Sequence, residues 1–177
     1  MKIHKDLRYD LVPQMKTYDQ IGHKFLPYIM FTQTPNFRSN VLNTDDTGFR
    51  YNFDSTKKSI FQENKKEESI LFLGGSTGFG VGSSKDQNTV TGYLEKKHNY
   101  NFLNLSGRAF TGFQEIISTL CNIENLDKLN IKKVIIFSGV NDIYLNSFLE
   151  LKYPGIFFFN SSFLHKMNKD YTFKKKI

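Results

Sequence analysis

The amino-acid sequence predicts an α/β protein made of parallel βαβ units, with helices on both faces of the sheet. Two observations carry this. Three short runs, Ile70–Leu73, Asn101–Leu105 and Lys133–Phe137, read as strands, and the stretches between them carry helical spacing. The first run, Ile70-Leu-Phe-Leu73, is apolar at every position, as in a strand buried on both faces of a parallel sheet. Strand–helix–strand–helix–strand order then calls for parallel connections packed against the sheet.

The elements follow in chain order. Residues 1–68 are polar with scattered aromatics and breakers at Pro13, Pro27 and Pro35, and read as an irregular N-terminal extension with a helix in part of 14–25. Thr44–Tyr51 reads as a turn leading into an extended piece, and Lys57–Glu68 as a charged, exposed segment. From Ser69 the α/β domain begins and continues to residue 177. Gly74-Gly75 ends the first strand, a Gly-rich loop runs to about Ser84, and Val90, Tyr93, Leu94 and Lys97 predict a helix over 87–97. Ser106-Gly107 stops the second strand. Phe113, Ile116, Ile117, Leu120 and Ile123 predict an amphipathic helix over 112–126, with Cys121 beside the stripe as a small core residue. Ser138-Gly139 ends the third strand, and a short helix is expected after Asn141.

Composition narrows the class of protein. With 177 residues, 39% hydrophobic and 15% aromatic, the chain can bury a core. The net charge of +7 comes from dispersed lysine pairs, which read as solvated helix ends and loops, so no nucleic-acid partner is expected. A single cysteine excludes an internal disulfide and a cysteine-based metal cluster. No run approaches the roughly 18 apolar residues of a membrane span, and no signal-peptide pattern opens the chain, so a cytoplasmic location is the default expectation.

Chemistry in such sheets sits at the carboxyl ends of the strands, and all three ends here are Gly-containing polar clusters. In Gly74-Gly-Ser-Thr-Gly-Phe-Gly80, Ser76 follows a buried strand and can project its hydroxyl from a tight turn, with its own N–H aimed at an oxyanion. Phosphate-binding loops do not fit. A Walker A loop requires Lys-Ser/Thr after the last Gly, where Val81-Gly82 stands, and the glycine spacing differs from G-x-G-x-x-G. In Asn104-Leu-Ser-Gly-Arg-Ala-Phe-Thr-Gly112, Gly107 can offer a second backbone donor. In Gly139-Val-Asn-Asp142, Asn141 can offer a side-chain amide. Each of these residues alone reads more simply as turn or cap; the ordered set at three successive strand ends does not.

These three blocks resemble the first three conserved blocks of the SGNH (GDSL-like) hydrolase family, over about residues 69–145. The resemblance implies a three-layer α/β/α sandwich around a five-stranded parallel sheet. It implies Ser76 as nucleophile and first oxyanion donor, with Gly107 and Asn141 as second and third donors. It further implies a serine hydrolase or acyltransferase acting on a small-molecule or carbohydrate ester, with no metal and no organic cofactor. The family's Asp-x-x-His block, which supplies the base and its orienting acid, has no counterpart. None of His4, His23, His98 and His165 has an Asp three residues before it. Three explanations stand open: an N-terminal fragment of a longer enzyme, which is favoured; a degenerate homologue that binds without turnover; or His165 serving as base. The rival from another class is a non-catalytic flavodoxin-like module that holds an anion in the Gly74–Gly82 loop.

Overall fold

A computed structural model describes residues 2–53, 55–62 and 68–149. The fold is mixed α/β around a three-stranded parallel sheet in the order β4-β3-β5, with β3 at Ser69–Gly74, β4 at Asn101–Asn104 and β5 at Ile131–Phe137. Register runs from Ile70 opposite Phe102 and Lys133 to Phe72 opposite Asn104 and Ile135. The central strand β3 is buried along its whole length, as its unbroken apolar run predicts. A one-turn helix α3 (Ser76–Phe79), a 3-10 turn at Asp86–Asn88 and helix α4 (Val90–Lys97) carry the chain from β3 to β4. Thr89 caps α4 by accepting the Gly92 N–H at 3.0 Å, which starts the helix three residues later than its apolar spacing suggests. Helices α5 (Gly112–Cys121) and α6 (Ile123–Leu126) lead to β5, and α7 (Val140–Leu149) follows it.

The described part of residues 1–68 begins with regular elements and continues from residue 34 in turns and an isolated bridge. The regular elements are α1 (Lys2–Leu11), α2 (Met15–Gln20) and an antiparallel hairpin of β1 (His23–Leu26) and β2 (Met30–Gln33). Thr44 and Arg50 form an antiparallel bridge around the expected turn. Asp45 organises that turn: one carboxylate oxygen accepts the N–H groups of Thr47, Gly48 and Phe49, each at 2.9 Å. These residues share cores with the sheet. Phe49, Tyr51 and Ile60 pack with Leu71, Leu73, Leu103, Leu105 and Leu126, while Tyr18, Ile21 and Leu42 pack with Phe79. Their apolar positions have no single period because they contact the sheet from turns, which is why sequence pattern alone left them unassigned. Asp19 and His23, four residues apart, are not a helical pair: Asp19 binds Arg8 and Tyr9 within the helical segment, and His23 opens β1.

Two expectations about burial are overturned. Helix α5 turns its polar side inward. Gln114, Glu115 and Ser118 are buried, whereas Ile116, Leu120 and Ile123 are 59%, 57% and 55% exposed and Cys121 is exposed as well. The inward polar groups have specific partners, since the Gln114 amide donates to the Ile29 carbonyl at 3.0 Å and Glu115 accepts the Ser138 hydroxyl at 2.6 Å. The expected core role of Cys121 therefore gives way to an outward one. Strand β5 is likewise not the buried strand that its Lys-Val-Ile-Ile-Phe run suggests. It forms a sheet edge, pairs only with β3 among the described residues, and leaves Val134, Ile136 and Phe137 more than half exposed. The Phe-rich segment 156–164 and His165 lie outside the described residues. No helix among the described residues is long and apolar enough to cross a membrane.

His23 introduces a pH dependence. Burial of the ring, reinforced by the nearby positive charge of Arg108, pushes its pKa down to about 4 from 6.5. The ring also meets Phe31 edge-on at 5.0 Å. Between those two values the unfolded chain binds a proton that the folded chain refuses, so stability is complete above about pH 6.5 and falls as pH drops towards 4. Urea titrations at pH 7 and pH 5 are expected to differ by on the order of 1 kcal/mol, after discounting for the ring's partial exposure. His23→Phe should remove that difference; a difference of equal size in the variant would assign it to other groups.

Candidate active site

The chain leaves β3 towards β4 on one side and returns to β5 on the other. The carboxyl ends of β3 and β5 thus flank a topological switch point, where open α/β sheets bind ligands. A small cavity of ≈ 100 Å³ opens there. It is lined by Gly75, Ser76 and Thr77 after β3, by Phe137, Ser138, Gly139, Val140 and Asn141 after β5, and by Phe110 from the loop after β4.

Ser76 is the first residue of α3 and is half-buried at the cavity wall. Among the described residues its hydroxyl has no hydrogen-bond partner, and its N–H belongs to the first turn, where a helix leaves donors unpaired. The turn closes in a Schellman arrangement. Gly80 adopts φ 83°, ψ 39°, its N–H reaches the Thr77 carbonyl at 3.1 Å, and the Val81 N–H reaches the Ser76 carbonyl at 3.0 Å. A side chain at Gly80 would meet this left-handed backbone and the Thr89 methyl 2.5 Å away, so a glycine is required there.

Asn141 lies in the first turn of α7 and leans across to the serine loop. Its amide nitrogen donates to the Phe110 carbonyl at 2.6 Å and would stand 2.9 Å from a β-carbon on Gly75. The second glycine of the Gly74-Gly75 pair thus leaves room for the Asn141 amide beside the backbone that enters Ser76. An amide nitrogen carries two protons, so one remains to donate after the bond to Phe110. The neighbouring Asp142 fixes this helix end, since both its carboxylate oxygens accept the Gly112 N–H at the start of α5, at 3.1 and 3.0 Å.

Of the three residues expected to converge, the structure brings together Ser76 and Asn141 but not Gly107. The Gly107 N–H donates to the Gly74 carbonyl at 3.0 Å, extending the β3–β4 pairing past the strand end, and the residue does not line the cavity. A β-carbon on Gly107 would sit 2.5 Å from the Phe110 ring, so this glycine makes room for the ring that forms the cavity wall. Phe110 in turn packs edge-on against Phe31 of the hairpin at 5.9 Å. Gly107 therefore supports the wall in this structure and offers no free oxyanion donor.

Among the described residues no histidine lines the cavity. His4 lies in α1, His23 in the hairpin, and His98 is exposed at the end of α4. Glu115, which sequence reasoning missed, is a titratable group bonded at 2.6 Å to the cavity-lining Ser138 hydroxyl. It is 2% exposed, and burial raises its carboxyl above the ordinary range, opposed by the Ser138 hydroxyl bond and assisted by the charge of Asp142. Its place among apolar helix positions resembled a solvent-facing residue, and only the rotation of α5 brings it under Ser138. Among the described residues no group of His, Cys, Asp and Glu is arranged to hold a metal ion.

Fold and site together define an α/β protein with a serine- and asparagine-lined cavity at the switch point of a parallel sheet. No protein-family model matches the chain, and no curated protein matches it.

Proposed function

We propose that this chain is a serine hydrolase of the SGNH type, acting on ester bonds through an acyl-enzyme on Ser76, as an esterase or carbohydrate O-acyl transferase. The observation that carries this reading is the meeting of Ser76 and the Asn141 amide at one cavity on the switch point. In this reading the Ser76 hydroxyl attacks the ester carbonyl carbon, its proton passes to a base, and the carbonyl oxygen becomes an oxyanion. The spare Asn141 proton and the Ser76 N–H then stabilise that oxyanion more than they stabilise the neutral ester. Collapse expels the alcohol, and water or a sugar hydroxyl takes the acyl group from Ser76. The finer architecture that belongs with this reading is a three-layer α/β/α sandwich, of which three parallel strands are described.

The test is hydrolysis of nitrophenyl esters of increasing acyl length. Asn141→Ala is expected to lower kcat by about 10²–10³-fold with little change in KM, the signature of a donor that acts in the transition state. A change confined to KM would remove Asn141 from the oxyanion site. A second reading, a non-catalytic binding pocket, is favoured by one observation: among the described residues no histidine lines the cavity. It predicts no turnover of any ester by the wild-type protein.

A further inference from the structure

The one-turn helix that carries Ser76 is too short to satisfy its own last carbonyls, and three side chains from elsewhere do so. The Asn104 amide donates to the Gly78 carbonyl at 3.0 Å. Arg50 Nη1 donates to the carbonyls of Phe79 at 3.2 Å and Gly80 at 2.8 Å. The Tyr18 hydroxyl shares its one proton between the carbonyls of Gly80 at 2.7 Å and Ser83 at 2.8 Å. The guanidinium is itself held on every side. Its Nε donates to Asp86 at 2.8 Å, Nη1 to the Tyr18 oxygen at 2.8 Å, and Nη2 to the Val41 carbonyl at 2.8 Å. Asp86 is steadied by the backbone N–H and the side-chain amide of Asn43, at 3.2 and 2.6 Å.

A four-residue helix has almost no persistence of its own, because nucleation costs more than one turn returns. Fraying from Gly80 backwards would move the Ser76 hydroxyl relative to the Asn141 amide, and misplacement by an ångström is costly in a reacting pair. Arg50 and Tyr18 stand behind the turn, and neither lines the cavity. We propose that Arg50, assisted by Tyr18, is a positioning residue for Ser76: it clamps the carbonyl end of the serine turn from the N-terminal segment. The proposal rests on Ser76 being the nucleophile. It makes residues 18–50 part of the catalytic apparatus, acting through the turn rather than on the substrate.

Two variants and two readouts test it. Arg50→Lys keeps the charge beside Asp86 but loses the planar fork that reaches five partners at once. Tyr18→Phe keeps the ring that packs on Ile21, Leu42 and Phe79 and removes only the hydroxyl. The readouts are the rate at which a fluorophosphonate labels Ser76 and the exchange rates of the Gly80 and Val81 amides, both taken well below each variant's Tm. Tyr18→Phe is expected to stay folded, to exchange those amides about tenfold faster and to label about tenfold more slowly, the effect of one hydrogen bond. Arg50→Lys should be larger in both, and if it does not fold, Tyr18→Phe decides. Wild-type exchange in Tyr18→Phe, or faster exchange with unchanged labelling, overturns the proposal. A wild-type protein that takes no label overturns the hydrolase reading and the catalytic consequence together, whereas a labelled wild type with an unaffected Tyr18→Phe overturns this proposal alone.

Discussion

Ser76→Ala is expected to abolish fluorophosphonate labelling and to remove the share of ester turnover that passes through an acyl-enzyme on the proposed nucleophile. Where a complete triad serves the serine, its removal costs on the order of 10⁶-fold in kcat. Without a base beside Ser76 the loss is limited to what the serine alone adds above the roughly 10³–10⁴-fold that oxyanion stabilisation and binding leave behind. The methyl group leaves the fold intact, since the Ser76 hydroxyl bonds to none of the described residues and the turn closes through backbone groups. The variant should therefore keep the wild-type Tm while losing all label. Neighbouring hydroxyls make the experiment specific. Thr77 and Ser138 line the same cavity, but Ser138 is committed to Glu115 at 2.6 Å and Thr77 is the exposed second residue of the turn. Peptide mapping of the labelled wild type should find the adduct on Ser76. An adduct on Ser138 or Thr77, or undiminished label in Ser76→Ala, would assign the chemistry to another group.

Asp86→Ala is expected to be strongly destabilising. Arg50 and Asp86 form an ion pair at 2.8 Å with side chains 0% and 5% exposed. Removing the carboxylate leaves a guanidinium charge buried without its counter-charge, and such a loss costs about 3–5 kcal/mol. Asn43 loses the acceptor for its amide in the same step. Urea unfolding at neutral pH reads the effect, and the wild-type midpoint should respond little to added salt because a buried pair is poorly screened. A loss below about 1 kcal/mol, the range of exposed pairs, would mean that water reaches Arg50. The exposed pair Lys58–Asp46 at 3.8 Å is the natural control, and breaking it should change the midpoint very little.

Much of the architecture was legible in the residues. The unbroken apolar run of β3, the polar clusters at the strand ends and the helical spacing between them specify parallel strands in succession along the chain, with Ser76 and Asn141 each just past a strand's carboxyl end; that those two ends are neighbours comes from the β3–β5 pairing. These are local signals: strand period, turn glycines and chain order need no partner to be read. Arg50, Tyr18 and Asp86 were not legible as a unit. They lie 32 and 36 residues apart in sequence, and an arginine in a polar stretch gives no sign that all three of its guanidinium nitrogens will be buried and hydrogen-bonded. Glu115 was hidden for a related reason, because burying polar positions of α5 and exposing its apolar stripe reverses the usual direction of an amphipathic helix.

By itself, then, the sequence determined the α/β class and the succession of strands and helices along the chain, and it named Ser76 and Asn141 among three candidate site residues. It did so because periodicity and glycine placement are properties of short stretches of chain. Only the tertiary structure decided that the N-terminal segment belongs to the same packed body, that α5 faces inward with its polar side, and that Gly107 spends its N–H on Gly74 beneath the Phe110 ring. Those outcomes depend on which buried donors and acceptors find partners across distant segments, and that satisfaction is a property of the packed molecule.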